Sequence, residues 1–476
     1  MEPNARQQGL FLILAAGKGT RMRSPTAKVL HPLAGRPMVR LLLDSLRSIP
    51  KFKPVVVIGH DRDQVKAALG AGVETVVQWP ARGTGHAVQV ARSKIARTSE
   101  VVVMPGDAPL ITPETIRRML DLHRRSRALA TVLTAEPDDP AAYGRVVMHS
   151  DGAVEKIVEA ADADPATLTI HRINTGFYVF DSKSLLSVIG KIGSSNKKGE
   201  YYLTDAIELL ARRGRVMGLN TDDTDEVAGI NTQAELARME GVLQKRLRRK
   251  LLECGVQIPH PQEVYLEPDV TVEPTARILP GTHLSGRTVV KSGAVIGPDT
   301  FVSDSRIGPR ARVWYSVVEG ADVGTGVTVG PYAHLRSGAR LAENSRIGNF
   351  VEVKESTVGR RAKALHLAYL GNATVGDEAN IGAGTITCNY DGFKKYPTRI
   401  APRAFIGSNT ALVAPVTIGA GAVVGAGSVI TRNVPSDSLA IERSPQVIRP
   451  GWAKLKRALA RRIAGSNRAP GKRKHS

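Results

Sequence analysis

The chain of 476 residues has few cysteines, few aromatic residues and no long apolar segment. Two cysteines, Cys254 and Cys388, are too few for a disulfide scaffold. No run approaches the roughly 18 apolar residues of a membrane-spanning helix. The short apolar stretch 10–16 runs into Gly-Lys and does not predict a secretory signal. Because 42% of residues are hydrophobic but only 4% aromatic, the composition excludes a wholly disordered chain and predicts a cytoplasmic protein with aliphatic cores.

Acidic residues are also scarce, since 44 acids face 66 Lys and Arg and leave a formal charge of +22. A charge of this size favours nucleic acid or an anionic membrane surface as a partner. Eleven of the basic residues lie between Arg443 and Ser476, where no acid occurs, and five more occupy 245–250. We expect the tail 451–476 to be solvated and disordered, with a short basic amphipathic helix over Trp452–Ile463 as the alternative. RNA binding by this tail stays open but is not favoured.

Residues 8–230 alternate between short aliphatic runs and helical patterns. The predicted strands are Leu10–Leu14, Pro54–Ile58, Glu74–Gln78 and Glu100–Met104, and the predicted helices are Met38–Ile49, Asp61–Leu69, Thr84–Ala96 and Pro113–Ser126. Such alternation predicts an α/β, Rossmann-like domain with a mostly parallel sheet. Ligands of these folds bind beyond the carboxyl ends of the strands.

The pattern changes after this half. Residues 232–255 contain no proline and predict one long linker helix ending near Gly255. Beyond residue 260, aliphatic residues recur about every six positions, at Leu266, Val272, Ile278, Leu284, Val290, Ile296, Val302, Ile307, Val313, Val318, Val323, Val329, Leu335, Leu341, Ile347, Val353, Val375, Ile381, Ile406, Leu412, Ile418, Val424 and Ile430. This period indicates a parallel β-helix of hexapeptide repeats. We therefore predict domains 1–231, 232–255, 256–450 and 451–476.

Phosphate-binding residues follow the first predicted strand. Gly17 and Gly19 allow backbone amides to approach phosphate oxygens, and Lys18, Arg21 and Lys28 supply positive charge. Asp107 follows another predicted strand, where a carboxylate is well placed to hold Mg²⁺ together with phosphate oxygens. These residues predict a nucleotide site. His31 and His86 are interpreted as structural rather than as catalytic bases.

A second polar cluster occupies 331–395, which we interpret as an interruption of the hexapeptide frame. His366 is suited to accept a proton from an amine near neutral pH. Arg336, Lys354 and Lys395 are suited to bind a sugar phosphate. Cys388 is predicted to be an unpaired, buried or half-buried thiol, since nothing in its motif predicts an activating base.

The motifs of both halves resemble known families. Residues 14–22, 28–37, 78, 83–87, 105–110, 143–145, 157–159, 173–176 and 229–231 resemble sugar-nucleotide pyrophosphorylases in content and order, with Ala27 where that family usually has proline. The second half resembles hexapeptide-repeat acyltransferases. Over residues 8–450, the chain resembles the bacterial bifunctional N-acetylglucosamine-1-phosphate uridylyltransferase/glucosamine-1-phosphate N-acetyltransferases.

This resemblance implies two activities that make UDP-N-acetylglucosamine for peptidoglycan and lipopolysaccharide precursors, with Mg²⁺ as cofactor and UTP and acetyl-CoA as co-substrates. It implies a left-handed β-helix and a homotrimer with acetyl-transfer sites between subunits. The implied UTP and UDP-sugar residues are Leu14, Ala15, Ala16, Gly17, Lys28, Gln78, Gly83, Thr84, Gly144, Glu159, Asn174 and Asn231, with Asp107 and Asn231 on Mg²⁺ and Arg21 and Lys28 catalytic. The implied acetyl-transfer residues are His366 as base, Arg336, Lys354, Tyr369, Asn380 and Lys395 for glucosamine 1-phosphate, and Ala383, Asn389, Tyr390, Ser408, Ala426 and Arg443 for acetyl-CoA.

Two alternatives to this function remain at the level of sequence. An enzyme of the same architecture with a different sugar or nucleotide would share most of these motifs. A regulatory or scaffolding protein that pairs similar domains is a different class, and it would not be expected to keep Lys28, Asp107 and Asn231 together with the His366 cluster.

Overall fold

The computed structural model describes residues 7–70 and 72–466. The chain divides into two compact units, which are described separately. Unit 1 comprises residues 1–292 and 297–304, and unit 2 comprises residues 293–296 and 305–476. The boundaries of the four predicted domains stay predictions. The last ten residues of the predicted basic tail, 467–476, lie outside the described residues.

Unit 1 contains a mostly parallel sheet. Its strands, in spatial order, are Val216–Thr221, Ala130–Ala135, Ile173–Asp181, Thr98–Pro105, Gln7–Ala15, Phe52–Ile58 and Glu74–Val77. Ile173–Asp181 is antiparallel to both of its neighbours, and a hairpin of Arg145–Met148 and Val154–Val158 pairs with it. A small separate hairpin is formed by Pro32–Leu33 and Arg36–Pro37. The central strands contain apolar runs at 10–15 and 101–104, as expected where both faces of a parallel sheet are covered.

The helices of this domain are Met38–Leu46, Arg62–Leu69, Thr84–Val90, Arg92–Ile95, Pro113–Ser126, Pro165–Leu168, Ser182–Val188 and Thr204–Ala211. The prediction of one helix over Thr84–Ala96 is wrong. The chain breaks at Ala91, whose φ of −88° and ψ of 4° leave the α-helical range. Its N–H bonds to Val88 O three residues back, at 3.1 Å, so the first helix ends in a tight turn before the second begins.

The predicted linker helix is confirmed as Gln233–Glu253. It begins with a capping box, in which Thr232 Oγ1 accepts from Glu235 N at 3.1 Å and Glu235 Oε2 accepts from Thr232 N at 3.1 Å. Buried Gln244 bonds both backbone groups of Leu266, accepting from its N–H at 3.0 Å and donating to its O at 2.8 Å. These bonds join the helix to the first β-helix coils of unit 1, whose strands are Tyr265–Leu266, Thr271–Val272, Arg277–Ile278, His283–Ser285, Val289–Val290 and Phe301–Ser303.

Unit 2 coils into a parallel β-helix with three sheets over its described residues. One sheet contains Val317–Glu319, His334–Leu335, Glu352–Lys354, Tyr369–Gly371, Ile386–Cys388, Ala411–Val413 and Val429–Ile430. The next contains Arg306–Ile307, Asp322–Val323, Arg340–Leu341, Thr357–Val358, Ala373–Val375, Thr398–Ile400 and Val416–Ile418. The third contains Val295–Ile296, Arg312–Val313, Thr328–Val329, Arg346–Asn349, Lys363–His366, Asn380–Ile381, Phe405–Ile406, Val423–Val424 and Leu439–Ala440.

The hexapeptide pattern is confirmed, because every aliphatic residue named for it is buried. The predicted interruption over 331–395 is wrong for most of its length. Val358, Ala364 and Leu370 point inward in successive strands, so the coils continue while their outward positions carry the polar residues. The coil leaves this path between Cys388 and Thr398 instead.

Two smaller expectations also need correction. Cys388 is exposed rather than buried, since strand alternation turns its neighbour Thr387 inward. Within the basic tail, Trp452–Ser466 forms a helix, so this part follows the helical alternative and not the disordered one. Across residues 7–70 and 72–466, no helix is long and apolar enough to cross a membrane.

Candidate active sites

A cavity of about 560 Å³ opens at the carboxyl ends of the strands in unit 1. Its walls bring together residues predicted from separate motifs: Leu14, Ala15, Ala16, Gly17, Lys18, Lys28, Gln78, Gly83, Thr84, Asp107, Glu159 and Asn174. The backbone holds the ends of these strands in register, since Gly106 N donates to Leu14 O at 2.9 Å and Gln78 N donates to Ile58 O at 2.8 Å. Residues far apart in sequence therefore face one ligand-sized space.

The glycine-rich loop lies close against Lys28. Gly19 has a φ of 62°, and a Cβ placed there would lie 2.5 Å from the Cβ of Lys28. A side chain at this position would be both strained and in collision. Glycine thus allows the loop to pass beside the lysine that reaches into the cavity.

Lys28, Asp107, Asn231 and Arg21 form one polar cluster. Lys28 Nζ donates to Asp107 Oδ2 and, at 2.6 Å, to Asn231 Oδ1. Arg21 donates to the same Asn231 oxygen at 2.8 Å. Asn231 is outside the cavity lining, but these bonds connect it to Lys28 inside. The cluster therefore gathers two cations, Lys28 and Arg21, around one amide oxygen.

The oxygens of Asp107 and Asn231 fit a magnesium site. Both converge on one positive group, the Lys28 ammonium, which shows that the pair can accommodate a cation. Carboxylate and amide oxygens are ligands that Mg²⁺ accepts, with phosphates and water completing its shell. In the part of the chain that the structure describes, no three His, Cys, Asp or Glu side chains gather into a metal cluster.

Gln78 and Gly83 form a rigid corner of the cavity. Buried Gln78 donates from Nε2 to Gly83 O at 2.9 Å, and the same amide nitrogen lies 3.2 Å from His86 Nδ1. Burial, followed by the charge of Arg82, lowers the pKa of His86. This corner presents an amide and backbone groups of the kind that can read a nucleobase edge. His31 is buried and lies outside the cavity lining.

The opposite side of the cavity contains Glu159 and Asn174. Thr204 Oγ1 donates to Glu159 Oε1 at 3.2 Å, and desolvation raises the pKa of the Glu159 carboxyl. Asn174 Nδ2 donates to Tyr178 Oη at 2.7 Å, and burial raises the pKa of this tyrosine. Gly144 contributes from the backbone, where its O accepts from Asn174 N at 2.8 Å. Glu159, Asn174, Tyr178 and Thr204 therefore place hydrogen-bonding groups on the cavity wall, whereas Gly144 lies outside the lining.

Sequence reasoning missed Tyr178 and Thr204, which also line this cavity. Tyr178 follows Asn174 by four positions on the strand Ile173–Asp181, a strand that was not predicted from the sequence. Thr204 had no signal in the sequence. It begins a helix more than forty residues after Glu159, and only the folded chain brings the two together.

The predicted acetyl-transfer residues in unit 2 lie on neighbouring coils. Arg336 donates to Glu352 Oε1 at 2.8 Å, and this bond raises the pKa of the guanidinium. Glu352 pairs in register with Tyr369, and Lys354 pairs with Gly371. These outward positions therefore form a continuous polar surface on one sheet, with cations at two of them.

A second group surrounds the loop after Cys388. Lys395 Nζ lies 3.3 Å from Glu355 Oε2, and Asn372 Nδ2 donates to the same oxygen at 2.7 Å. These two bonds lower the pKa of Glu355. Asn389 donates to Asn372 Oδ1 at 2.7 Å, and Tyr390 remains 61% exposed at the loop surface. These hydrogen bonds connect Asn389 through Asn372 to Glu355 and Lys395.

His366 lies at the outer end of Lys363–His366, exposed and one residue before a β-helix corner. At this corner, Gly384 N donates to Leu367 O at 2.9 Å, Asn409 N donates to Ala383 O at 2.7 Å, and Gly427 N donates to Ser408 O at 2.8 Å. The small residues Ala383, Ser408 and Ala426 consequently stack coil upon coil, and Arg443 donates to Ala426 O at 3.0 Å. Asn380 lies on the neighbouring strand, in register with Lys363. Ser408 and Ala426 are exposed at this corner.

Comparisons with known proteins match both halves of the chain. A family model of MobA-like NTP transferase domains matches residues 11–195, and a bacterial transferase hexapeptide model of six repeats matches residues 397–432. The protein named Bifunctional protein GlmU of Exiguobacterium sp. is 45% identical over 445 residues, which cover 93% of this chain and 99% of that protein. Bifunctional protein GlmU of Heliobacterium modesticaldum is 46% identical over 443 residues, which cover 93% and 97%.

The chain belongs to the GlmU family. The family resemblance predicted from the motifs is thereby confirmed, as is the predicted fold class of a Rossmann-like nucleotidyltransferase domain, a linker helix and a left-handed hexapeptide β-helix. The solved structure of UDP-glucose pyrophosphorylase complexed with UDP-glucose is also similar, at a TM-score of 0.43 and 16% identity over 50% of this chain and 99% of that chain.

Proposed function

We propose that this GlmU-family chain makes UDP-N-acetylglucosamine in two successive reactions. Acetyl-CoA first acetylates glucosamine 1-phosphate in unit 2, and UTP then reacts with the resulting N-acetylglucosamine 1-phosphate in unit 1. The observation that carries this proposal is that the chain aligns with nearly the full length of GlmU proteins. Each unit also contains its own set of suitable residues.

Uridylyl transfer needs no side-chain base, because a sugar 1-phosphate is largely dianionic at neutral pH. Its oxygen attacks the α-phosphorus of UTP, forming one P–O bond while the bond to pyrophosphate breaks. Lys28 and Arg21 stabilise the charge that builds on the departing pyrophosphate. Asp107 and Asn231 would hold Mg²⁺, which supplies further charge neutralisation on the phosphates.

The remaining groups in this cavity bind and orient the substrates. Gln78 and Gly83 contact the uracil, while Thr84, Gly144, Glu159 and Asn174 hold the amino sugar. The backbone of Leu14, Ala15, Ala16 and Gly17 follows the nucleotide. Holding both reactants in line converts an encounter between two molecules into a reaction within one complex.

Acetyl transfer requires a neutral amine. His366 accepts the proton that the ammonium of glucosamine 1-phosphate loses. The neutral nitrogen then attacks the thioester carbonyl, so that the C–N bond forms while the C–S bond to CoA breaks, and the second proton that the nitrogen gives up passes to the departing CoA sulfur. Arg336, Lys354 and Lys395 bind the sugar phosphate, with Tyr369 and Asn380 beside it. Ala383, Ser408 and Ala426 face acetyl-CoA along the corner, and Asn389, Tyr390 and Arg443 bind it from the loop and the C-terminal segment.

We further propose a homotrimer, with acetyl-transfer sites between subunits, that works in the cytoplasm on small-molecule substrates. Its product would supply the precursors of peptidoglycan and lipopolysaccharide. Membership of the GlmU family and the hexapeptide repeats support the trimer. Light scattering during size-exclusion chromatography tests the assembly directly.

A coupled assay from glucosamine 1-phosphate, acetyl-CoA, UTP and Mg²⁺ tests the function. His366→Ala should abolish acetyl transfer and spare uridylyl transfer, whereas Asp107→Ala should do the reverse. Removal of one such group typically costs on the order of a hundredfold or more in rate. If either variant loses both activities as a soluble trimer, the two-site proposal is wrong.

Substrate selectivity is tested by assaying four nucleoside triphosphates against several sugar 1-phosphates. A preference for another pair would favour the related enzyme with different specificity. Absence of turnover with every pair would favour the scaffolding alternative.

A further inference from the structure

Glu226 carries a buried carboxylate that neither proposed reaction uses. It is only 3% exposed and lies in the short 3₁₀ turn Thr224–Val227, five residues before Asn231. Burying a carboxylate is unfavourable unless hydrogen bonds compensate for the lost contact with water.

Hydroxyl groups from two separate segments surround this carboxylate. Thr221 Oγ1 donates to Oε1 at 2.6 Å, and Thr115 Oγ1 donates to Oε1 at 2.8 Å. Thr112 donates to Oε2 from its hydroxyl at 3.0 Å and from its N–H at 3.3 Å. Thr112 is the N-cap of helix Pro113–Ser126, so the carboxylate also faces the positive end of that helix.

These bonds join the segments that carry the two proposed magnesium ligands. Asp107 lies five residues before Thr112, and Asn231 lies five residues after Glu226. A second bond supports the junction, since Ile230 N donates to Asp107 O at 2.9 Å. Asp107 and Asn231 lie more than a hundred residues apart in sequence, and these contacts hold their segments together.

We infer that Glu226 is a positioning residue that sets the spacing of Asp107 and Asn231 for a divalent cation bound with nucleotide phosphates. This inference rests on the proposed uridylyl transfer. Glu226 touches neither the cation nor the substrate, and it acts through Thr112 and Thr115. Groups that orient metal ligands commonly change metal affinity by about ten- to hundredfold when they are removed.

The test measures Mn²⁺, which serves as a spectroscopic replacement for Mg²⁺, in the full-length chain with saturating UTP. Because UTP in solution also binds Mn²⁺, the titration follows water proton relaxation, which is enhanced when Mn²⁺ is held on the slowly tumbling protein and so reports protein-bound Mn²⁺. Glu226→Gln keeps the size of the side chain but replaces one accepting oxygen with an NH₂ group, so we expect Mn²⁺ affinity to fall about tenfold. Thr115→Val removes the hydroxyl that donates to Glu226 from the other segment, and it should also weaken Mn²⁺ binding.

Thr98→Val is the matched control. Thr98 begins the strand Thr98–Pro105 that leads to Asp107, and its buried hydroxyl donates to Ile95 O at 3.0 Å and lies 3.1 Å from Ser182 Oγ. The variant loses a buried hydroxyl at the far end of the strand, so it should lower stability without moving Mn²⁺ affinity.

The outcomes separate the inference from the function on which it rests. A wild-type chain that binds no Mn²⁺ with UTP would overturn both. Wild-type binding that Glu226→Gln leaves unchanged would overturn the positioning role alone. If Glu226→Gln does not fold, the Mn²⁺ affinity of Thr115→Val provides the test. The inference is refuted if Thr115→Val binds Mn²⁺ as tightly as the control Thr98→Val does.

Discussion

Gly83 offers a sharp test of how the nucleotide corner is built. Its φ of 100° and ψ of 174° lie in a region that is open essentially to glycine alone. A Cβ placed there would lie 2.6 Å from Tyr201 O. Gly83→Ala should therefore introduce both backbone strain and a collision with backbone, and the collision cannot be relieved by turning a side chain.

The control is Gly70→Ala. Gly70 has a similar φ of 74° and ψ of 179°, but its nearest atom to an added Cβ is Arg40 Nη1 at 3.6 Å, an ordinary contact. Strain alone should cost about 1–3 kcal/mol of unfolding free energy at either glycine. The collision at Gly83 should add about 1–3 kcal/mol, the usual cost of overpacking. We thus expect about 2–6 kcal/mol for Gly83→Ala and about 1–3 kcal/mol for Gly70→Ala.

Urea unfolding followed by circular dichroism measures these costs, and steady-state uridylyl transfer measures the effect on UTP. Because Gly83 O accepts from Gln78 Nε2 at 2.9 Å, displacing Gly83 also displaces the amide proposed to read uracil. We expect the KM for UTP to rise at least about tenfold, equivalent to about 1.4 kcal/mol of binding, in Gly83→Ala only. Equal destabilisation by both variants, with an unchanged KM for UTP, would refute the reasoning.

Three further predictions concern the sugar side of the cavity and the tail. Because desolvation raises the pKa of Glu159, the folded state favours its protonated form, and the stability this contributes is lost as pH rises through the folded pKa. Thermal scans should show a higher Tm for Glu159→Gln than for wild type at pH 8, and a smaller difference in Tm near pH 4. The same difference in Tm at both pH values would contradict this prediction. Tyr178→Phe leaves Asn174 Nδ2 without its partner, so the KM for N-acetylglucosamine 1-phosphate should rise about five- to hundredfold, corresponding to about 1–3 kcal/mol, while the KM for UTP stays unchanged. If the basic tail binds RNA, deleting 451–476 should remove salt-dependent retention on an RNA column, and unchanged retention excludes that role.

The hexapeptide pattern predicted most, but not all, of the inward positions of the β-helix. Each inward aliphatic residue, such as Leu335 or Val353, meets the equivalent residue one coil away, so the same six-residue pattern determines both local path and core. The prediction failed at Ala364, because an inward alanine does not stand out as part of an aliphatic series. It also failed at Cys388, whose exposure depends on Thr387 turning inward.

In the nucleotide half, the sequence determined which strands end in which chemical groups. Lys28, Gln78 and Asp107 were identifiable because each follows a strand or glycine-rich turn that local residues encode. The break at Ala91 was not identifiable, since its sequence neighbours are all compatible with a continuous helix.

The sequence by itself therefore determined the two kinds of fold and the motifs that carry the chemistry, since both arise from contacts between residues near in sequence or one repeat apart. Only the tertiary structure decided which distant side chains complete the site. Thr204 reaches Glu159, and Glu226 joins the segments of Asp107 and Asn231, through hydrogen bonds between parts of the chain that have no local relationship. Such contacts depend on how the strands and helices pack, and no spacing within a motif encodes them.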